Sequence, residues 1–374
     1  MSNISVNTIT DASGGSTASI NGLTPQASNM QPFNRIINGA QNINQRGVSV
    51  TSAATYVTDR WQWDNSTTTA TLTFAQSTVA PTGFTNSLGI TVGTADTSIA
   101  AGDLIDFRHW IEGNNVADFE LGTASAVTFT VSFWVRSSIV GTYGASFRNS
   151  DAGRVYVSTF TINVANTWEQ KTITVAGDTS GTWFTDNQRG LGMNICLAGG
   201  STYQTTAGSW TGAGNFRTTS AQANLAGTSG ATFYITGVQL EAGSTASPFA
   251  HENVGDTLQK CQRYYYKVGN TGNDYRRYSI TSCDNSTNSR SVFHFPAPMR
   301  AFPTLTTSGT LANYTAGVIH TLSSLVLNPT WTEPSGNYAQ VSLYSVVPSG
   351  QTSGDAGELI SVNSASSLAF DSEL

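Results

Sequence analysis

Between Val127 and Val135 the chain alternates without a break: Val127, Phe129, Val131, Phe133 and Val135 are separated by Thr128, Thr130 and Ser132 in the first three gaps. A period of two places the apolar side chains on one face of a β-strand and the small polar ones on the other. Such a strand is stable only when its apolar face packs against a second layer. The pattern recurs in shorter pieces. Leu72 and Phe74 share a face, as do Trp61 and Trp63, Ile173 and Val175, and Phe233 and Ile235, with Val238 and Leu240 after Gly237. The segment LIDFRHWIE spaces Leu104, Phe107 and Trp110 near a helical repeat but also suits a bulged strand. About ten such segments, divided by Gly, Asn, Asp and Ser turns and without a long helix, predict an all-β fold whose centre is a jelly-roll β-sandwich over residues 31–250.

Composition narrows the function. Charged residues make up 11% of the 374 residues, and the formal net charge is −6. No run of Lys or Arg offers a stripe for phosphates, so nucleic acid is excluded as a partner. No stretch of 18 apolar residues predicts a membrane span. The first residues carry no basic and apolar signal-peptide pattern, which predicts synthesis in a cytoplasm. Cys196, Cys261 and Cys283 are too few and too widely spaced for a disulfide framework or a zinc site. A sparsely charged, Thr- and Gly-rich β-protein suits an exposed, protease-rich setting outside the cell.

The flanks read differently. Residues 1–30 are small and polar, with no aromatic residue, and predict an extended attachment arm. After the closing strand GVQLEAG, Pro248 breaks the pattern, and residues 251–269 predict a hinge and a short linker helix. Asp256 would cap that helix, with Gln259 three residues on. Leu258, Cys261 and Tyr265 would share one face, an interface helix for subunit packing. Residues 270–374 predict a smaller C-terminal β-domain.

The phrases NRIINGAQNINQRGVSV, YVTDRWQW, FWVRSS, NTWEQKTITVAGDTSGTW and FYITGVQLEAGSTASPFAHENVGDTLQKCQRYYY occur here in order. Over roughly residues 33–270 they resemble a family of bacteriophage tail-fibre and other phage structural proteins. The resemblance implies a galactose-binding-like jelly roll and a place in the virion tail. It also implies a homo-oligomer, usually a trimer, joined to other tail proteins through the N-terminal arm. The distal tip would meet a host cell-surface polysaccharide. A head fibre or capsid-decoration protein with the same domain is the alternative, and a glycan depolymerase the second. The C-terminal region carries no motif of the family, and the family supplies no fixed set of binding residues.

Individual residues give two candidate chemistries. Glycan hydrolysis needs a carboxylate pair; Asp103, Asp106, Glu112, Asp118 and Glu120 form the densest acidic group but read as solvated loop carboxylates. With no nucleophile motif and dispersed histidines, no enzyme is expected. In GDTSGTWFTDN, Asp178 and Asp186 could hold a structural calcium, against the plainer reading of a hairpin loop. Sugar recognition needs aromatic faces and planar polar groups. Loop aromatics beside Gly and Asn are the candidates: Trp331, Tyr338 and Tyr314 in the distal region, and Trp183, Tyr203 and Trp210 in the centre. Core packing is the competing reading for each.

Overall fold

The computed structural model describes residues 34–47, 49–51, 55–151, 153–212, 214–269, 272, 274–328 and 338–374. The attachment-arm reading of residues 1–30 and the candidate Trp331 fall outside them.

The first part of the chain forms twelve strands: β1 (Thr55–Tyr56), β2 (Trp61–Ser66), β3 (Leu72–Ser77), β4 (Ser87–Val92), β5 (Leu104–Glu112), β6 (Phe129–Ser137), β7 (Gly141–Arg148), β8 (Val155–Ile162), β9 (Glu169–Val175), β10 (Arg189–Gly199), β11 (Trp210–Thr211) and β12 (Thr232–Ala242). They make a seven-stranded sheet, β1-β2-β5-β10-β7-β8-β11, and a five-stranded sheet, β3-β4-β12-β6-β9. The strand neighbours pair antiparallel throughout, and the two sheets close as a jelly-roll sandwich.

The alternation explains the packing. Phe129, Val131, Phe133 and Val135 of β6 are fully buried. They meet the other sheet edge to face, with Phe129 5.4 Å from Phe147 and Phe133 5.1 Å from Phe160. Burying one such ring contributes roughly 1.5–3 kcal/mol. The segment LIDFRHWIE is strand β5, and the register shifts fall on its partner β10, between Arg189 and Leu191 and between Cys196 and Ala198. Gly237, at φ +60°, makes the corresponding break in β12.

One short helix, α1 (Val254–Gln262), follows. Asn253 caps it, accepting from the Gly255 amide, so the helix starts earlier than an Asp256 cap would allow. Of the expected interface face, Leu258 is half-buried and Cys261 is buried within the chain's own fold. Tyr265 lies beyond the helix and opens the next strand, because Arg263 and Tyr264 turn the chain into the sandwich base. The segment just before the expected hinge is hydrogen-bonded to β12. Gln239 accepts from the Ala250 amide at 2.8 Å, and Glu241 accepts from the Ser247 amide at 2.9 Å.

Ten further strands complete the chain: β13 (Tyr265–Gly269), β14 (Arg277–Cys283), β15 (Asn288–Met299), β16 (Thr304–Ser308), β17 (Leu311–Thr315), β18 (Val318–Thr321), β19 (Ser324–Leu327), β20 (Tyr338–Val346), β21 (Ala356–Ser361) and β22 (Ser367–Asp371). A three-stranded sheet, β13-β22-β16, packs on a seven-stranded one, β18-β17-β21-β14-β15-β20-β19. Phe293 stacks on Phe370 between them, with ring centroids 4.7 Å apart.

The two sandwiches meet through ions. Glu112 accepts from Arg263 at 2.6 and 2.9 Å and from the Tyr264 hydroxyl at 2.6 Å. Burial alone would raise the Glu112 carboxyl, but these donors hold it below its usual range. Glu373 pairs with the fully buried Arg60, whose guanidinium lies 3.6 Å from the centre of the Tyr264 ring. Within the first sandwich, Asp106, with 0% exposure, pairs with Arg217 at 2.7 Å. The acidic group read as solvated loop carboxylates is therefore corrected: Asp103, Asp106 and Glu112 are buried. Strand β5 and its approach carry these three inward, and each has hydrogen-bonded partners.

Candidate functional site

The outer face of the five-stranded sheet carries a strip of half-buried aromatic rings. Trp134 shares with Thr130 and Ser132 the face of β6 turned away from the core between the sheets; those two are buried under neighbouring chain, whereas Trp134 is half-buried. On β12, Tyr234 pairs directly with Arg136 of β6, and Thr236 pairs with Trp134, so Trp134 and Tyr234 are diagonal neighbours on one face. The Arg136 guanidinium lies 5.5 Å from the centre of the Tyr234 ring, and Trp168 lies 6.4 Å from it.

Two glycines make room for these rings. A Cβ at Gly89, on the neighbouring strand β4, would stand 3.2 Å from Tyr234 Cε1. A Cβ at Gly237 would stand 2.6 Å from Phe84 Cζ and 3.2 Å from Trp134 Cδ1. Without side chains there, Phe84 and Trp134 lie close over the backbone. From Phe84 the strip continues to Phe249 and His251, each ring 5.1 Å away.

Polar groups border the rings. Gln170 of β9, exposed, sits across from Trp134. Arg136 donates to the Asn166 carbonyl at 2.8 Å. Glu169 ties the loop that carries Trp168, accepting from the amides of Asn163 and Val164 at 2.9 Å and from Lys171 at 2.6 Å. Partial burial would raise this carboxyl, but the donors, Lys171 foremost, bring it to about 2. At the His251 end the strip meets a cavity of about 280 Å³ whose wall includes Asn34, Asn38, Asn42, Glu252 and Lys260. Flat rings beside amides and a guanidinium stack on the C–H faces of a sugar and pair with its hydroxyls.

Those residues singled out from sequence that the structure describes lie elsewhere. Trp183 and Trp210 come together, 5.5 Å apart and edge to face, at the end of the seven-stranded sheet. Their indole nitrogens donate to the carbonyls of Ser180 and Ala176, and Trp210 also packs on Tyr156. Tyr203 sits on a short turn, its carbonyl accepting from the amides of Arg217 and Thr218. Tyr338 opens β20 and packs on Phe302, whereas Tyr314 lies 36% exposed on β17, with three strands between them. Asp178 is held by Arg154 at 2.6 and 2.7 Å, and Asp186 accepts twice from Gln188 at 2.9 Å. Among the described residues no three His, Cys, Asp or Glu side chains are grouped to hold a metal ion.

Trp134, Trp168, Tyr234 and Phe84 had one signal in the sequence. Trp134 extends the polar face of the clearest strand, where a tryptophan has no core to fill.

No family model matches the chain, and no curated protein does. Solved structures give distant likenesses. A family 4 carbohydrate-binding module (CBM4) is 14% identical with a TM-score of 0.32, covering 56% of this chain and 99% of its own. The enzymatically active domain of tailspike protein 4 from bacteriophage CBA120 is 16% identical with a TM-score of 0.32, covering 57% of this chain and 22% of the tailspike chain. A family 11 carbohydrate-binding module from Clostridium thermocellum, solved with a β-1,3-1,4-mixed-linked tetrasaccharide, is 12% identical with a TM-score of 0.26, covering 54% and 98%. Among the described residues no helix is long and apolar enough to cross a membrane.

Proposed function

We propose that this chain is a non-catalytic phage virion protein, a tail fibre that adsorbs to a host-surface glycan. The glycan lies along the aromatic strip of the five-stranded sheet. The observation that carries the reading is the row Phe84, Trp134, Tyr234 and Trp168, half-buried rings held on one solvent-side face with Arg136 and Gln170 beside them. Rings that only stabilised the fold would belong in the core between the sheets, where Phe129 and Phe133 lie. The virion assignment draws on the sequence phrases that resemble phage tail fibres. A non-catalytic role is supported by the placement of Asp106 and Glu112, which are buried in ion pairs with Arg217 and Arg263.

The test is adsorption of the purified chain to host polysaccharide. Trp134→Ala and Trp168→Ala should each weaken it about tenfold, the loss of about 1.4 kcal/mol of stacking, with the far-ultraviolet circular dichroism spectrum of the folded chain unchanged. Unaltered adsorption in both variants defeats the assignment of the strip. Release of reducing sugar would make the protein a depolymerase. Immunogold label on the capsid in place of the tail would make it a decoration protein.

A further inference from the structure

Strands β14 and β15 separate part-way along their length. Their ladder runs from Cys283 opposite Ser289 to Thr281 opposite Ser291 and goes no further, although β14 begins at Arg277 and β15 continues to Met299. Beyond that point β14 pairs only with β21, and β15 only with β20. The gap holds a groove of about 850 Å³, with Tyr266 and Val268 of the opposite sheet among its walls. The volume is that of a site for a small organic ligand.

Its walls are apolar and unusually open. Ile280 is 77% exposed and Val292 47%, on adjacent strands and both lining the groove. The Ser279 and Thr281 hydroxyls also belong to the groove-lining residues, and both are buried without a hydrogen-bond partner, Thr281 at 2% exposure.

The rim is cationic. Beyond residue 270 the sequence holds four Lys or Arg residues, Arg276, Arg277, Arg290 and Arg300. The first three line this groove, and His294 joins them. Arg300 points elsewhere, donating to the carbonyls of Asn187, Ser372 and Glu373. No carboxylate lines the groove among the described residues. Glu358 and Asp284 stand outside it, pairing with Arg277 at 2.5 Å and Arg290 at 2.7 Å. Both pairs are exposed to water and contribute little, so either arginine exchanges its partner for an incoming oxyanion at small cost.

We propose that this groove is a second binding site, distinct from the aromatic strip, for a single-chain aliphatic oxyanion. The chain lies against Ile280, Val292, Val268 and Tyr266, and the head group meets Arg277 and Arg290. Neither feature alone selects this ligand. A neutral sugar leaves the arginine rim unused, and a free inorganic anion leaves the aliphatic walls in water.

Isothermal titration of the full chain with decyl phosphate, below its micelle concentration, tests the site. One equivalent should bind. Octyl phosphate should bind about fifteenfold more weakly, from two lost methylenes. Decyl maltoside should bind at least tenfold more weakly, and inorganic phosphate without measurable heat. Arg277→Gln with Arg290→Gln should weaken decyl phosphate at least tenfold while keeping the parent melting temperature, since both side chains are exposed. Trp134→Ala should leave it unchanged, which separates this site from the glycan strip. Equal affinity for decyl phosphate and decyl maltoside overturns the head-group recognition. Absence of decyl phosphate binding overturns the site. A native oligomer that Ile280→Asp converts to a monomer, with the probe excluded from the parent, also overturns it and makes the face a contact between copies of the chain.

Discussion

The buried pair Arg60–Glu373 makes a quantitative prediction about how the two sandwiches are held together. Arg60 is 1% exposed and Glu373 4%. Besides Glu373, the guanidinium donates to the Trp110 carbonyl, at 2.5 Å, and its Nε has no hydrogen-bond partner. Glu373→Gln keeps the shape and removes the charge, leaving Arg60 buried and uncompensated. Breaking a buried pair from one side costs about 3–5 kcal/mol. With a urea m-value of about 2 kcal/mol/M, the unfolding midpoint should fall by about 2 M. Tryptophan fluorescence is the assay, since Trp110 and Leu374 pack with Tyr264 at this junction. The double variant Arg60→Met with Glu373→Leu removes both charges and should return to within about 2 kcal/mol of the parent. A Glu373→Gln midpoint within about 0.5 M of the parent refutes the reasoning, because Arg60 would then have to be solvated and the junction open.

Other outcomes follow from the same structure. Burial pushes the Asp59 carboxyl up to about 6, against the pull of Arg46 and Gln45. The folded state therefore keeps a proton that the unfolded chain has released, so stability from this group is full below about pH 4 and falls by about 3 kcal/mol as pH rises through 6. Asp59→Asn should flatten that part of a pH–stability profile measured by urea unfolding, and an unchanged slope would contradict it. Gly237→Ala places a Cβ at φ +60° within 2.6 Å of Phe84; it should cost at least about 1 kcal/mol in thermal unfolding and weaken glycan adsorption by displacing that ring. Cys196, Cys261 and Cys283 are buried free thiols, and burial raises the first two well above the usual thiol range. Ellman's reagent should label none of the three until denaturant is added.

The aromatic strip shows how far the sequence carries and where it stops. Alternation in β6 determines that Trp134 faces away from Phe133 whatever the rest of the chain does. That Trp134 lies diagonal to Tyr234 depends on a pairing between residues about a hundred positions apart, and on the bulge at Gly237 that resets the register of β12. No local pattern encodes that register. The same holds for the groove: the strands β14 and β15 are legible one by one, but their separation beyond Thr281 and Ser291 is a property of the pair.

Charge gave the clearest departure. The acidic side chains of β5 look like surface residues because their partners, Arg217 and Arg263, are 111 and 151 residues away. After α1, Arg263 and Tyr264 turn inward to Glu112, a contact that no local pattern in the sequence announces. By itself the sequence determined the all-β class, the inward face of each long strand and the sparsely charged surface, since these follow from residues a few positions apart. The tertiary structure decided which outward rings meet, which charges are buried and where a groove opens, because each of these depends on contacts between distant strands.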